Sequence, residues 1–337
     1  MKCSYIGFAV SLAAASFLGM STVSADQLSG AGSSKELKQR ERAAVEGKTI
    51  AYVPQILASP LATEWARVLK DETAALGMKL IVKDPNWNAN AQLQVISALI
   101  DEKPNVLVVQ NPNVTILAKE LERAEKAGIY VIQINQGSNY KTDAYTGGDW
   151  ESIGKMMADH VIKKCGNGSN TSGKVQIVMG EATAGASLEQ TQAVLAELKK
   201  DPAIKVVSNQ AADWDASKAQ AITSTVLQQH SDLCASIGMW GVMQRGAAQA
   251  IKDAGKLDQV TVVASGEGVR SDCDALQEGL FDGYANYDAR LQGHDIVQLA
   301  KLLLQSGQKA GTFKIADFSH VVWLDKQNGK GAACFDP

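Results

Sequence analysis

The sequence predicts an α/β protein with two similar halves, each built on a mostly parallel sheet. Short apolar runs alternate with amphipathic helical segments along most of the 337 residues. The runs are apolar at consecutive positions, which is typical of strands covered by helices on both faces. The alternation falls into two βαβ-rich halves of similar size, and the chain is long enough for two domains.

In the first half of the chain, four strands and four helices are predicted to alternate. The strands are expected at 49–53, 79–82, 106–109 and 129–134. The helices are expected at 61–76, 91–101, 117–127 and 151–165. In the first of these helices the apolar residues recur at helical spacing, and Gly77 follows as a C-cap.

The second half repeats this pattern. Its strands are expected at 175–178, 206–208, 235–238, 261–264 and 283–286. Its helices are expected near 187–200, 216–229, 243–254, 272–279 and 290–306. Residues 26–46 precede the first strand and are polar and charged, which indicates a linker that ends in at most a short helix.

The first 25 residues have the pattern of a cleaved secretory signal peptide. Lys2 is their only charged residue, an apolar run follows, and the segment ends in the small-x-small sequence Val23-Ser24-Ala25. A membrane anchor is disfavoured because serines and a glycine interrupt the short run. We therefore expect a secreted protein from which residues 1–25 are removed.

Four cysteines follow the predicted cleavage site. They are Cys165, Cys234, Cys273 and Cys334. An even number in an oxidising compartment indicates two disulfides, with three pairings open, and four buried thiols as the alternative. Their spacing does not suggest zinc.

Composition and motifs exclude several functions. A formal net charge of −3 argues against a nucleic-acid partner. A repressor would need a DNA-binding helix-turn-helix, for which 26–46 is too short. A hydrolase would need a nucleophile elbow or a metal cluster, and neither pattern occurs. We expect no enzyme activity, no metal and no cofactor.

The residues that follow the predicted strands are the candidate binding site, because ligands of parallel sheets lie outside the carboxyl ends of the strands. This set is rich in amides, carboxylates and aromatic rings and suits a neutral or weakly cationic small molecule. The candidates are Gln55, Ser59, Trp87, Gln110, Asn111, Asn135, Gln136, Glu181, Trp214, Trp240, Glu267, Asn286 and Asp288.

Their expected roles follow from their chemistry. Trp214 and Trp240 would stack on the ligand, with Gly238 and Gly241 leaving room for the second indole; packing within the protein is the alternative. The amides would exchange hydrogen bonds with it. The three carboxylates would accept bonds from hydroxyls or neutralise a cation.

Several segments resemble the type I periplasmic solute-binding proteins of bacterial ABC transporters, in the ribose- and galactose-binding branch. The similarity covers about 48–323. The segments that carry it are Ile50-Ala51-Tyr52-Val53-Pro54 with Ser59-Pro60, Val109-Gln110-Asn111-Pro112, Ile132-Gln133-Ile134-Asn135, Gly148-Asp149, Ala212-Asp213-Trp214-Asp215 and Gly246-Ala247-Ala248-Gln249-Ala250.

The resemblance implies two lobes joined by a three-segment hinge, with the ligand trapped in the cleft when the lobes close. One lobe would hold 47–148 plus 288–318, and the other 149–287 plus 319–337. All four cysteines then fall in the second lobe, which favours Cys165–Cys234 and Cys273–Cys334. An ABC permease in the inner membrane is the implied partner, and a chemoreceptor is a further one.

Departures from the family pattern bear on the ligand. Sugar binders of this branch carry an Asp-Arg pair where this chain has Asn135-Gln136, and an Asn-Asp pair where it has Trp240-Gly241. They also carry an Asp near Glu267 and an Arg near 187–190. A small sugar or polyol remains the leading expectation. The alternative is a small cationic or cyclic, less hydroxylated solute bound by tryptophans and carboxylates.

Overall fold

The computed structural model describes residues 33–330 and 334–336, so the predicted signal peptide lies outside the described residues. Twelve strands are present in this part of the chain. They are β1 (Thr49–Val53), β2 (Lys79–Val82), β3 (Val106–Val109), β4 (Tyr130–Ile134), β5 (Ala144–Gly148), β6 (Lys174–Met179), β7 (Lys205–Ala211), β8 (Ala235–Gly238), β9 (Thr261–Gly266), β10 (Gly283–Asn286), β11 (Ile315–Ser319) and β12 (Val322–Leu324).

Ten helices alternate with these strands across the described residues. They are α1 (Ser34–Val45), α2 (Pro60–Ala75), α3 (Ala89–Glu102), α4 (Ala118–Lys126), α5 (Trp150–Cys165), α6 (Gly185–Leu198), α7 (Ala216–Gln229), α8 (Gly241–Asp253), α9 (Arg270–Glu278) and α10 (Ala289–Ser306). The expected helices and strands are all found, with boundaries shifted by a few residues at most.

Two six-stranded sheets organise the chain. The first has the order β11-β5-β4-β3-β1-β2 and is parallel throughout. The second has the matching order β12-β10-β9-β8-β6-β7 and is parallel except for β12, which runs antiparallel to β10. The predicted α/β architecture with two mostly parallel sheets is therefore confirmed.

The chain passes three times between the lobes built on these sheets. It leaves the first lobe after β5, returns from β10 to α10, which packs on α2, and leaves again between β11 and β12. The sequence did not predict β5, β11 or β12. The edge strands β11 and β12 are half exposed, and β5 is buried but ends in Gly147 and Gly148, so none of the three has the continuous apolar run of a central strand.

The second part of the predicted linker over 26–46 contains a helix. Ser33 caps a twelve-residue helix, α1, by accepting a hydrogen bond from the Glu36 N–H at 3.3 Å. Val45 at the end of this helix is fully buried in the core of the first lobe. Helix α1 therefore packs on that lobe through its C-terminal end.

Two disulfides join the four cysteines in the pairing that the family resemblance favoured. Cys165 is bonded to Cys234, and Cys273 is bonded to Cys334. The first connects the end of α5 to the start of β8. The second fastens the C-terminal segment to α9, where the Phe335 N–H donates to the Gly268 carbonyl at 3.0 Å.

The core of the first lobe contains a fully buried tryptophan. Trp65 on α2 is fully buried, and its indole N–H donates to Gln292 Oε1 on α10 at 3.2 Å.

None of the helices within the described ranges has the length and apolar character needed to cross a membrane.

Candidate functional site

A cavity lies between the two lobes, at the carboxyl ends of both sheets. It offers about 50 Å³ to the centre of a water molecule, several times the roughly 10–15 Å³ that one bound water needs. Its lining comes almost equally from both lobes. The lining residues are Gln55, Ile56, Ser59, Leu61, Trp87, Gln110, Asn135 and Gln136 from the first lobe, and Trp150, Ala186, Gln190, Trp214, Met239, Trp240 and Tyr287 from the second.

The chemistry of this lining is aromatic and uncharged. Five aromatic rings, five primary amides and one hydroxyl of Ser59 face the cavity together with small and apolar side chains. No Asp, Glu, Lys, Arg or His is among the lining residues of the described chain. Amides donate and accept hydrogen bonds, and rings cover apolar faces, so the cavity suits a neutral ligand.

Two of the tryptophans occupy matching loops in the two lobes. Trp87 follows β2 and Trp214 follows β7, which is the equivalent strand of the second sheet. Both have left-handed backbones, with φ of 61° and 63°, and each is followed by a helix N-cap. Non-glycine residues rarely adopt this backbone, so each loop is held in an uncommon conformation that presents an indole to the cavity.

The ring of Trp214 lies against Gly180 at the end of β6. A Cβ atom at position 180 would stand 2.1 Å from this indole, so only glycine leaves space for it. The neighbouring Trp240 meets Trp214 edge to face, with ring centroids 6.3 Å apart and an interplanar angle of 81°. The two indoles form one aromatic corner of the cavity.

The first lobe positions its amides through backbone contacts. Gln110 Oε1 accepts from the Gln55 N–H at 3.2 Å, and Gln55 Nε2 donates to the Asn111 carbonyl at 2.6 Å. Each side chain thus uses one end of its amide to fix its orientation. The other ends, Gln110 Nε2 and Gln55 Oε1, have no hydrogen bond to the described residues and can serve a ligand.

Asn135 lies where the cavity meets the hinge. Its Oδ1 accepts from Gln292 Nε2 at 2.9 Å and from the Gly148 N–H at 3.3 Å. Its backbone carbonyl accepts from the Trp150 indole at 2.9 Å. Asn135 therefore links three segments at the hinge while lining the cavity.

The two lobes touch beside the cavity, and the described conformation is closed. Gln136 Oε1 in the first lobe accepts from the Ala186 N–H in the second at 3.0 Å. The Val114 N–H donates to the Thr183 carbonyl at 3.2 Å. Helix α6 has no side-chain cap of its own, so Gln136 caps it from the opposite lobe.

Asn111 and Glu181 are not among the residues that line the cavity. Asn111 is fully buried, and its Nδ2 donates to Gln133 Oε1 at 2.7 Å and to the Gln136 carbonyl at 2.6 Å. The Glu181 carboxylate folds back onto Thr183 and accepts from its N–H and its hydroxyl. Both residues shape loops beside the cavity.

Asn286 and Asp288 also lie outside the cavity lining. Asn286 Oδ1 accepts from the Asp288 N–H at 3.0 Å. Asp288 is the N-cap of α10, accepts from the Arg290 N–H and pairs with the Arg290 guanidinium. Capping a helix engages the carboxylate that a cation would have needed.

Glu267, like Glu181 and Asp288, is not among the residues that line the cavity. It is fully buried behind the aromatic corner, and its Oε2 accepts from Trp240 Nε1 at 2.7 Å. The Tyr287 hydroxyl lies 3.5 Å from the same oxygen. Burial raises the pKa of Glu267 to about 7, against the lowering effects of Trp240 and Arg245.

The two glycines beside Trp240 serve other neighbours than expected. A Cβ at Gly238 would meet Gln244 Oε1 at 2.2 Å, and a Cβ at Gly241 would meet Asp272 Oδ2 at 2.0 Å. They admit buried polar groups of α8 and α9, while Trp240 is oriented by Glu267.

Sequence reasoning left seven lining residues out of the candidate set. They are Ile56, Leu61, Trp150, Ala186, Gln190, Met239 and Tyr287. Trp150 and Tyr287 pack edge to face at 5.3 Å where the chain crosses between the lobes. Tyr287 directly follows the predicted strand 283–286, and this position was the available signal for it. Trp150 follows β5, which the sequence did not predict.

A pH dependence of stability follows from Glu267. Since its pKa is raised, the folded protein binds this proton more readily than the unfolded chain between about pH 4.5 and 7. We expect Glu267 to contribute about 1 kcal/mol less stability at pH 8 than at pH 6. Urea unfolding at both pH values should show this difference shrinking in Glu267→Gln; an unchanged difference would contradict it.

Comparison with known proteins adds three findings. A family model described as a periplasmic binding protein domain matches residues 50–309. The D-allose-binding periplasmic protein of Escherichia coli is 27% identical over 225 residues, which cover 64% of this chain and 71% of that protein. A ribose import binding protein of Bacillus subtilis is 24% identical over 209 residues, covering 62% and 67%.

A solved structure gives the same fold. It is an ABC transporter solute-binding protein from Burkholderia graminis in complex with D-arabinose. The TM-score is 0.77 at 22% identity, and the match covers 86% of this chain and 99% of that one. At this identity the likeness supports the fold, a two-lobed periplasmic binding protein of type I.

Proposed function

Because this chain belongs to the periplasmic binding protein family, a family of substrate-binding transporter components and not of enzymes, we propose that it is the substrate-binding component of an ABC importer. It captures a small neutral sugar or polyol in the cavity between its lobes. The lobes, 47–148 with 288–318 and 149–287 with 319–337, close around the ligand by bending at the three crossings.

The observation that carries this proposal is the composition of the shared cavity. Each lobe contributes amides and at least one indole, and direct hydrogen bonds between the lobes hold the cavity shut. Ring faces cover the C–H surfaces of a small polyol, and amides exchange hydrogen bonds with its hydroxyls. The names of the relatives, which refer to allose and ribose, support the same ligand class.

The proposed location and partners follow from the same premise. The protein acts in the periplasm after removal of the N-terminal segment 1–25, and delivers its ligand to a permease in the inner membrane. Two disulfides suit that oxidising compartment. A chemoreceptor is the second proposed partner, and it would bind the same closed, liganded form of the protein.

A cyclic, less hydroxylated solute is the second candidate, and the aromatic lining favours it. Five rings face the cavity, and none of the lining side chains supplies a charged group to pair with hydroxyls. A cationic ligand is disfavoured, because Glu181, Glu267 and Asp288 all have other partners.

Thermal shift with matched compounds tests the proposal. The neutral set is D-allose, D-ribose, D-arabinose and myo-inositol, with 2-deoxy-D-ribose as the less hydroxylated member. D-glucosamine and D-glucuronate provide a positive and a negative charge on a pyranose ring. At a hundred times its dissociation constant a ligand adds about 2.7 kcal/mol of stability.

We expect at least one neutral compound to raise Tm and both charged compounds to have no effect. A shift with the charged compounds alone would contradict the proposal. So would the absence of any shift in the neutral set, provided that mass spectrometry of the purified protein finds no neutral ligand already bound.

A further inference from the structure

Segment 265–267, which comprises the last two residues of β9 and the residue after them, lies behind the cavity and contacts several of the residues that line it. The Ser265 hydroxyl lies 2.7 Å from Gln190 Oε1 and 2.9 Å from the Met239 carbonyl. Two residues later, the Glu267 carboxylate accepts from Trp240 and stands within 3.5 Å of the Tyr287 hydroxyl. Segment 265–267 thus contacts four residues that line the cavity, although none of its own residues lines the cavity. The four are Gln190, Met239, Trp240 and Tyr287.

Keeping a carboxylate at this place is costly for the fold. Glu267 is fully buried, and its Oε1 has no hydrogen-bond partner among the described residues. The nearby Asp272 is also fully buried and adds like charge, although Arg245 lies 3.3 Å from Asp272 Oδ1. Since a buried, incompletely paired acid destabilises a protein, its presence beside a binding cavity points to a role in binding.

We infer that Glu267 is a positioning residue that sets the specificity of the cavity by fixing the Trp240 indole and the Tyr287 ring. Its carboxylate keeps the polar edges of both rings turned away from the ligand. The ring faces, and not a charged acceptor, then form this side of the cavity. The site therefore selects neutral ligands that present an apolar C–H surface here over ligands that need a carboxylate partner.

Substitutions that separate charge, acceptor and volume test this role. Glu267→Leu keeps the approximate volume and removes the acceptor. Glu267→Gln keeps an acceptor for the Trp240 N–H and removes the charge. Each is combined with Trp240→Phe, which lacks the indole N–H, and the dissociation constant is measured by calorimetry for the neutral compound that gives the largest thermal shift.

We expect Glu267→Leu to weaken ligand binding about tenfold or more. The affinity of Glu267→Gln should stay within about threefold of the wild type. In the Trp240→Phe background, Glu267→Leu should have little further effect, because the bond it removes is already absent. If Gln lowers affinity as much as Leu, and does so in the Trp240→Phe background as well, the carboxylate contacts the ligand directly and the inference is overturned.

The effect of Glu267 on ligand affinity rests on the proposed function, but its effect on the position of Trp240 does not. A measurement without ligand therefore tests the positioning role separately. The emission of Trp240 is obtained as the difference between each protein and its Trp240→Phe counterpart. We expect Glu267→Leu to shift this emission to longer wavelength and Glu267→Gln to leave it near the wild-type position. Unchanged emission in Glu267→Leu overturns the positioning role, whatever the result of the compound panel.

Discussion

Replacing Trp214 by alanine is expected to weaken ligand binding by about 2 kcal/mol or more, roughly 30-fold in dissociation constant. The indole is half buried, rests on Gly180 and forms the aromatic corner with Trp240. Alanine would remove a large, rigid contact surface and leave its neighbour without an edge-to-face partner. Calorimetry with the tightest-binding neutral compound measures the loss.

Trp87 provides a matched comparison for this substitution. It has the same left-handed backbone in the equivalent loop of the first lobe, but 51% of its surface is exposed. Because a ring at the cavity mouth buries less surface on the ligand, we expect Trp87→Ala to cost only a few-fold in affinity. A larger loss for Trp87→Ala than for Trp214→Ala would show that the ligand lies nearer the mouth than we propose.

Protein stability separates loss of contact from loss of fold. Alanine at position 214 has the same unfavourable left-handed backbone as the tryptophan it replaces, so the backbone strain is unchanged. We therefore expect the Tm of the ligand-free protein to fall only slightly. A large fall would mean that the indole mainly packs the second lobe.

The sequence predicts the architecture well because buried parallel strands have a strong local pattern. Runs such as Val106–Val109 are apolar at every position and lie in the centre of a sheet, with all four residues buried. The edge strand Ile315–Ser319 alternates between exposed and less exposed residues, and its pairing with β5 depends on the distant chain. Such a strand has no local signal of comparable strength.

The cavity residues could be predicted where a residue's position at the end of a strand determines which way its side chain points. Gln110 and Asn135 follow central strands of the first sheet, and the ends of parallel strands converge, so both face the cavity. Asp288 also follows a strand, but it begins a helix as well, and capping competes for its side chain. The sequence pattern alone does not decide between these two roles.

Gln190 illustrates what remains beyond sequence reasoning. It lies in the second turn of α6, away from any strand end, and reaches the cavity because the helix begins at the contact between the lobes. Its orientation depends on Ser265, 75 residues later in the chain. A contact between such distant residues follows from the folded arrangement and not from local periodicity.

Replacing Gly185 by valine is expected to weaken binding by a similar or larger amount without touching the ligand. A Cβ atom at this position would lie 3.2 Å from the Gly137 carbonyl oxygen and 3.3 Å from the Gly137 nitrogen, across the interface between the lobes. The additional methyl groups of valine would hold the lobes apart. The hydrogen bond by which Gln136 caps α6 would then be lost as well.

The expected cost combines these two effects. Overpacking of a close contact costs about 1–3 kcal/mol, and loss of a helix cap about 1 kcal/mol. Together they predict at least a 30-fold weaker dissociation constant, since about 1.4 kcal/mol corresponds to tenfold. The loss should appear mainly as faster ligand release, because the closed form is the state that valine destabilises.

The other half of this contact supplies the control. A Cβ at Gly137 would meet only Tyr145 Cε2, at an ordinary distance of 3.9 Å, so Gly137→Ala should be tolerated much better than Gly185→Ala. Small-angle scattering of the valine variant with saturating ligand should show a larger radius of gyration than the liganded wild type. If Gly185→Val binds with wild-type affinity and reaches the same compact form, the contact between Gly137 and Gly185 does not limit closure, and the ligand is held by a different movement of the lobes.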